Sequence, residues 1–253
     1  MIRVVKLGGR VQSDPALAGV LAAAWIAAPE MVIVHGGGDE VSALQSAYGR
    51  VAQFVDGKRV TAAEDLDLLR MALSGSANKR LVATLVGAGL PAVGVSGEDA
   101  GLLRAVADRR DTMGEVGTPT DVDPLLLYHL LAGGFCPVIS PLGRDRDSTG
   151  AGVLNVNGDD AAAAIAISLR ASELLMVSDV AGVLIDGVPV SQLDADAARE
   201  AIRQGVARGG MAAKLDAALD ALARGVARVR IGAVSALTDD RRGTVITQAG
   251  VSA

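Results

Sequence analysis

The strongest constraint on the fold is a repeated pattern. Short, largely apolar runs occur at residues 2–5, 31–34, 92–95, 137–139, 174–177 and 229–231, broken only by Arg3 and Arg230, and each is followed at once by a glycine, a serine or another polar residue. A run with no polar alternation has no face to give to water, so it reads as a strand covered on both sides. Helix-like stretches lie between most of the runs. That alternation predicts an α/β fold: a three-layer α/β/α sandwich around a mostly parallel central sheet. Half of the 253 residues are apolar but only 2% are aromatic, so Ala, Val, Leu and Ile must build the core.

The residues that end the runs carry more information. Lys6-Leu7-Gly8-Gly9 follows the first and His35-Gly36-Gly37-Gly38 the second, with Ser96-Gly97, Ser140-Pro141 and Ser178-Asp179 after the next three. Ligands of open α/β sheets bind outside the carboxyl ends of the strands, and small or polar residues collect there. Between the runs, Asp14-Pro15 opens a helix to about residue 28, and a second spans 38 to about 48. Thr61-Ala62-Ala63-Glu64 reads as a capping box starting a long helix through residue 86, with Gly75 and Ser76 as a kink. Asp56-Gly57 signals a hairpin turn, residues 105–120 an irregular β region, and Pro124 the start of helix 125–132. Later helices are expected at 158–169, 195–204 and 211–224. The charged stretch 144–150 reads as a lobe junction.

Four of these motifs could carry chemistry. Lys6 with Gly8 and Gly9 brings an ammonium group and bare amides to one point, which suits a phosphate, although a plain strand end and turn uses the same residues. The His35 tetrad before a helix offers amides at a helix N-terminus. Esterase oxyanion loops use a similar tetrad, but Gly94-Val95-Ser96-Gly97 lacks the spacing of a nucleophile elbow. Asn155-Val156-Asn157-Gly158-Asp159-Asp160 opens a helix and is read equally well as an N-cap. Gly209-Gly210-Met211-Ala212-Ala213-Lys214 places a lysine in a first helical turn, at the unfavourable end of the dipole. An anionic ligand or a solvated surface lysine would each account for it.

Other classes are excluded. Net charge is −5, and no basic tract exceeds an arginine pair, so neither nucleic acid nor an anionic membrane is an expected partner. One cysteine, Cys136, forbids an internal disulfide, and with two histidines a structural zinc site is not expected. Cys136 and His129 read as structural. No apolar run is long enough to span a bilayer and no leader pattern opens the chain, so a cytoplasmic protein is expected.

Taken in order and spacing, the motifs resemble the amino-acid kinase family nearly end to end. The resemblance rests on Lys6-Leu7-Gly8-Gly9, Val34-His35-Gly36-Gly37-Gly38, Asp56-Gly57-Lys58-Arg59-Val60-Thr61 and Asn78-Lys79. It continues in Asn155-Val156-Asn157-Gly158-Asp159, Ser178-Asp179-Val180-Ala181-Gly182-Val183-Leu184 and Gly209-Gly210-Met211 with Lys214. It is closest to the branch acting on N-acetyl-L-glutamate, and it implies ATP-dependent phosphorylation of that acid's side-chain carboxylate in arginine biosynthesis. It further implies one kinase domain over residues 1–253. A lobe at about 1–171 would hold the acyl amino acid, and one at about 172–253 would hold ATP with magnesium, the metal carried mainly by phosphates and water.

By position, Lys6 and Lys214 match the family's transition-state lysines, and Asp159 the aspartate that orients them. Gly37, Gly38, Arg59 and Asn155 match substrate contacts. Gly8, Gly9, Asp179, Val180, Ala181, Gly182, Val183, Leu184, Val206, Ala207 and Arg208 match phosphate and nucleotide contacts. The chain opens directly on the first strand, whereas in this family an added N-terminal helix accompanies arginine-inhibited hexamers. The resemblance therefore implies an arginine-insensitive homodimer. Two alternatives stay open at this point: a kinase for carrier-bound aminoadipate or glutamate, and a catalytically dead sensor. The presence of Lys6, Asp159 and Lys214 together speaks against the second.

Overall fold

The computed structural model describes residues 1–249 apart from Asp56 and Ala151. Its centre is an eight-stranded sheet in the order Gln192–Asp194, Thr244–Thr247, Val229–Gly232, Glu173–Val177, Arg3–Leu7, Met31–His35, Cys136–Ser140 and Ala92–Ser96. Every neighbouring pair is parallel except Val229–Gly232 with Thr244–Thr247. All six apolar runs became strands of this sheet. The two further strands, Gln192–Asp194 and Thr244–Thr247, are short and half polar, so no continuous apolar run announces them.

The period of two along a strand explains how the layers assemble. Val4, Val32, Val34, Leu174 and Met176 join one core cluster, with Ala161, Ala162 and Ile165 of helix Gly158–Ser168 and Leu215 and Ala218 of helix Gly210–Ala223. Val5, Leu7, Ile33, Leu175 and Val177 join another on the opposite face, with Leu21 and Trp25 of helix Leu17–Ala27 and Leu81 and Leu85 of helix Asn78–Gly87. Lys6 has the parity of Val4 and His35 that of Ile33. The same two strands therefore send an ammonium group to one layer and an imidazole to the other.

A second, smaller unit is a closed sheet of Leu103–Ala107, Val116–Val122, Leu142–Asp145 and Val153–Val156. It contains the expected irregular β region. It also corrects the reading of 144–150 as a lobe junction. Leu142–Asp145 and Val153–Val156 are antiparallel neighbours, so this charged stretch turns between two strands of one small sheet.

Two local expectations also change. Helix formation after Thr61 begins with a short 3-10 turn, Ala63–Asp65, and no side chain caps it. The Thr61 hydroxyl instead donates to Arg59 O at 3.2 Å and accepts from Asn155 Nδ2 at 2.8 Å, so it serves the site rather than the helix. Around Gly75 and Ser76 the long helix widens into a π segment, Arg70–Ala77, before resuming at Asn78. Phe54–Val55 and Lys58–Arg59 form the expected hairpin, with Gly57 at φ +77°; Asp56 of the turn signal lies outside the described residues. Among the described residues no helix is long and apolar enough to cross a membrane.

Candidate active site

The strands Arg3–Leu7 and Met31–His35 end level, since Leu7 pairs with His35. Lys6 and the loops just past those ends open onto a cavity of about 210 Å³, lined by Lys6, Gly9, Gly36, Gly37, Gly38, Arg59 and residues 155–158 among others. Lys6 is only 6% exposed, and its Nζ lies 2.8 Å from Asp159 Oδ1. Lys214 Nζ donates to the other oxygen, Oδ2, at 3.2 Å. One buried carboxylate thus bridges two ammonium groups that arrive from a strand and a helix.

Asp159 reaches this position because Asn157 caps helix Gly158–Ser168. The Asn157 side chain accepts from the Asp159 amide at 2.8 Å and the Asp160 amide at 3.4 Å. The capping reading of this motif holds at Asn157, and Asp159 is the member that faces the two lysines. Lys214 is the fifth residue of helix Gly210–Ala223, just beyond the first turn, and Asp159 accounts for its direction. Burial disfavours the Lys6 ammonium and lowers its pKa despite the pull of Asp159, with Lys214 adding to the lowering. Burial also opposes the Asp159 carboxylate, but the two lysines outweigh it and hold its pKa below the usual carboxylate value.

The glycine loops meet over this group. A methyl built on Gly9 would stand 3.8 Å from Gly38 N and 3.9 Å from Gly37 N, so these three residues face one small volume. Gly37 and Gly38 open helix Gly38–Ala47, whose first amides have no intrahelical acceptor. Gly8 departs from expectation: its amide donates to Val177 O at 3.0 Å, tying the first strand to its neighbour, and is not open to a phosphate.

Arg59 is clamped against helix Gly38–Ala47. Its guanidinium donates to Gln45 Oε1 at 2.6 Å and to Gly38 O and Ser42 Oγ at 2.7 Å each, and it stacks 4.7 Å from the Phe54 ring centroid. Burial lowers its pKa, against the attraction of Asp39 and Asp65. Beside it, Lys58 Nζ pairs with Asp160 Oδ2 at 2.9 Å. Burial raises the Asp160 pKa, against the pull of Lys58. Gly57 approaches the Gly209 turn so closely that a methyl on it would lie 3.2 Å from Gly209 C and O.

The remaining expected positions do not line this cavity. Asp179 accepts from Ser178 Oγ at 3.1 Å and lies 3.6 Å from Arg10 Nη1. Val180, Ala181 and Gly182 follow on the same loop after strand Glu173–Val177, and Leu184 opens the short strand Leu184–Ile185. The side chains of Val183 and Ala207 are corrected to core, since both belong to the apolar cluster; their amides are also taken, by Thr244 Oγ1 at 2.8 Å and Ala201 O at 2.9 Å. Val206 is exposed, and Arg208 folds back so that Nε donates to Gly205 O.

Residues 1–233 match the model of the amino acid kinase family. The chain belongs to this family. It is 44% identical over 242 residues to the acetylglutamate kinase of Chloroflexus aurantiacus, covering 94% of each chain. It is 39% identical over 230 residues to that of a Geobacillus species, covering 90% of this chain and 88% of the relative. Among solved structures it resembles smu.665 of Streptococcus mutans, with a TM-score of 0.86 at 28% identity over 97% of this chain and 98% of that one.

Several side chains of this family member's site were given no role by sequence reasoning. Beneath the His35 tetrad, the imidazole Nδ1 donates to Gly36 O at 2.7 Å, and Gln12 Nε2 donates to the same oxygen at 2.8 Å. Asn78 Nδ2 donates to Val138 O at 2.9 Å and meets His35 Nε2 at 3.1 Å. His35 and Asn78 are fully buried. Burial lowers the His35 pKa, against the Gly36 hydrogen bond and the charge of Glu40, with Lys79 lowering it further. Asn78 was quoted only as part of a motif; a buried asparagine inside an apolar helix face was the signal that could have exposed its role.

Proposed function

We propose that this chain is an ATP-dependent kinase that phosphorylates the side-chain carboxylate of N-acetyl-L-glutamate, giving an acyl phosphate and ADP in arginine biosynthesis. The observation that carries the reading is the buried Asp159 carboxylate held between Lys6 and Lys214, with Lys6 and Arg59 lining one cavity beside it. The relatives named as acetylglutamate kinases support the choice of acid.

The acceptor carboxylate is ionised at neutral pH, so no general base is required. The barrier is the approach of one anion to another. Lys6 and Lys214 offset that repulsion and stabilise charge on the transferring phosphoryl group, while Asp159 fixes their directions. The carboxylate oxygen forms a bond to the γ-phosphorus as the bond to the bridging oxygen of ADP breaks. In this reading the Gly9, Gly37 and Gly38 amides receive phosphoryl oxygens, and Arg59 and Asn155 hold the substrate's α-carboxylate and amide. Residues 1–171 take the acyl amino acid and residues 172–253 the nucleotide. There, Asp179, Val180, Ala181, Gly182, Leu184, Val206 and Arg208 contact ATP, while Val183 and Ala207 hold their loops to the core. Gly8 supports the turn without touching phosphate.

Among the described residues no trio of carboxylate, imidazole or thiolate groups converges on a metal position, and both Asp159 oxygens face lysines. Magnesium would therefore enter with ATP, held by phosphates and water. By analogy with the family, the same reading makes the enzyme a cytoplasmic homodimer. A monomer in light scattering would remove that part.

Hydroxylamine trapping of the acyl phosphate tests the function. With ATP and magnesium, N-acetyl-L-glutamate is expected to give strong trapping, and free glutamate, aspartate and aminoadipate little. No product from acetylglutamate under conditions where ATP binds would overturn the assignment.

A further inference from the structure

Gly36 O accepts two hydrogen bonds from below, from His35 Nδ1 at 2.7 Å and Gln12 Nε2 at 2.8 Å. The Gly36–Gly37 peptide is trans, as every described peptide is. In a trans unit the C=O and the following N–H point in opposite directions. Anchoring Gly36 O therefore aims the Gly37 N–H away from the anchor, into the volume facing Gly9.

The anchor is set by Asn78. A carbonyl only accepts, so the Val138 contact fixes which end of the Asn78 amide is Nδ2. That NH₂ also faces His35 Nε2, which must then be the bare, accepting nitrogen. The ring is left neutral, with its proton on Nδ1, the nitrogen that Gly36 O requires. Asn78 Oδ1 has no hydrogen-bond partner and sits where a Cβ on Gly94 would be, 2.0 Å away. A buried amide acceptor has been left unsatisfied to keep this orientation, and the strand has a glycine to admit it.

The geometry points to Asn78, His35 and Gln12 as positioning residues that aim the Gly37 N–H at the transferring phosphoryl group. Asn78 selects the histidine tautomer, and the tautomer and Gln12 together set the peptide. The inference rests on the kinase reading above and deepens it. None of the three side chains touches substrate; each acts through the Gly36–Gly37 peptide.

Two variants separate this role from mere packing. In His35→Asn the side-chain amide nitrogen occupies the place of Nδ1 and keeps the donor to Gly36 O. In His35→Gln the amide reaches the place of Nε2 and loses that donor, although Gln matches His better in volume. Positioning predicts that His35→Asn keeps kcat within about threefold, while His35→Gln loses at least about tenfold, part of the effect of losing one such donor outright, with KM for both substrates little changed. Packing predicts the reverse order. Equal losses, or the reverse order, would overturn the inference. So would ¹⁵N histidine spectra of the unmodified enzyme showing the buried ring protonated on Nε2; the Nδ1–H tautomer is expected, and that result does not depend on either variant folding. An unmodified enzyme that fails to phosphorylate acetylglutamate refutes the substrate reading. The order of the two variants is then read with the carboxylate it does accept, and the tautomer stands apart from turnover.

Discussion

Asp159→Asn is the most informative perturbation of the site. It keeps shape and removes the one negative charge between two ammonium groups 2.8 and 3.2 Å away. The two lysines are then left facing each other. Breaking a buried ion pair by removing one partner costs ~3–5 kcal/mol, so folded stability should fall on that scale at neutral pH. Burial already holds the Lys6 pKa below 10.5, and the pull of Asp159 is what chiefly opposes it. Without that pull the pKa drops further.

The sign of the pH dependence follows. A lysine whose folded pKa lies below its unfolded value penalises the fold at low pH, and the penalty fades as pH rises from the folded pKa towards 10.5. The variant should therefore regain stability with rising pH. Its turnover should do the opposite, because a deprotonated Lys6 no longer stabilises the phosphoryl group. The expected result is a kcat at least about a hundredfold lower at neutral pH, the scale of losing one preorganised electrostatic donor, and an alkaline decline that begins at lower pH than in the parent. The assay is hydroxylamine trapping across a pH series, with urea unfolding in the same buffers. Near-parental kcat, or an alkaline limb that does not move, would refute the argument that Asp159 keeps the lysines charged and in place.

Three further outcomes are expected. Arg59→Ala should raise KM for the acyl amino acid by about ten- to a hundredfold with little change in kcat, the worth of a charge-assisted hydrogen bond; initial-rate kinetics at saturating ATP would check it. Gly94→Ala would press a methyl 2.0 Å from Asn78 Oδ1 and 2.8 Å from Lys79 Nζ, and the doubly bonded Asn78 cannot yield, so about 1–3 kcal/mol of overpacking should lower Tm by several degrees in a thermal melt. Glu173→Gln removes the carboxylate that faces Arg230 at 2.5 Å and Arg3 at 2.6 Å; with Arg230 fully buried, about 3 kcal/mol should be lost in urea unfolding, and KM for both substrates should stay unchanged because this cluster is remote from the cavity.

The sheet was legible because burial on both faces leaves a largely apolar run, and six of them recur along the chain. The lysine and aspartate positions were legible because their motifs fall at strand and helix ends, where polarity interrupts apolar sequence. Thr61 shows why local pattern fails. Thr-x-x-Glu fits a capping box, yet the hydroxyl is claimed by Asn155, 94 positions away in sequence, and no local rule sees that partner. Gly8 fails for the same reason: a glycine beside a phosphate motif reads as a free amide until the neighbouring strand supplies Val177 O. Val183 and Ala207 lie on loops by sequence position, and only the assembled core shows their side chains facing inward.

The parity of the sheet joins these cases. Lys6 and His35 sit one residue out of step on paired strands, Lys6 opposite Val34 and Leu7 opposite His35. A one-residue slip of the first strand would turn Lys6 into the helix Leu17–Ala27 layer, and a slip of the second would turn His35 towards Asp159. Either slip would strip one of the two groups of its partners. The apolar residues on the same strand oppose it, since a slip of the first strand would exchange Val4 with Val5 between the two packed layers, and a slip of the second would exchange Val34 with Ile33. Register is thus held by core volume, and the chemistry at the strand ends inherits its geometry from that packing. This is why conservative changes in the core strands, such as Ile33→Val, should cost stability of about 1 kcal/mol with kcat nearly unchanged, whereas at Asp159 the loss falls on the charge itself and takes turnover with it.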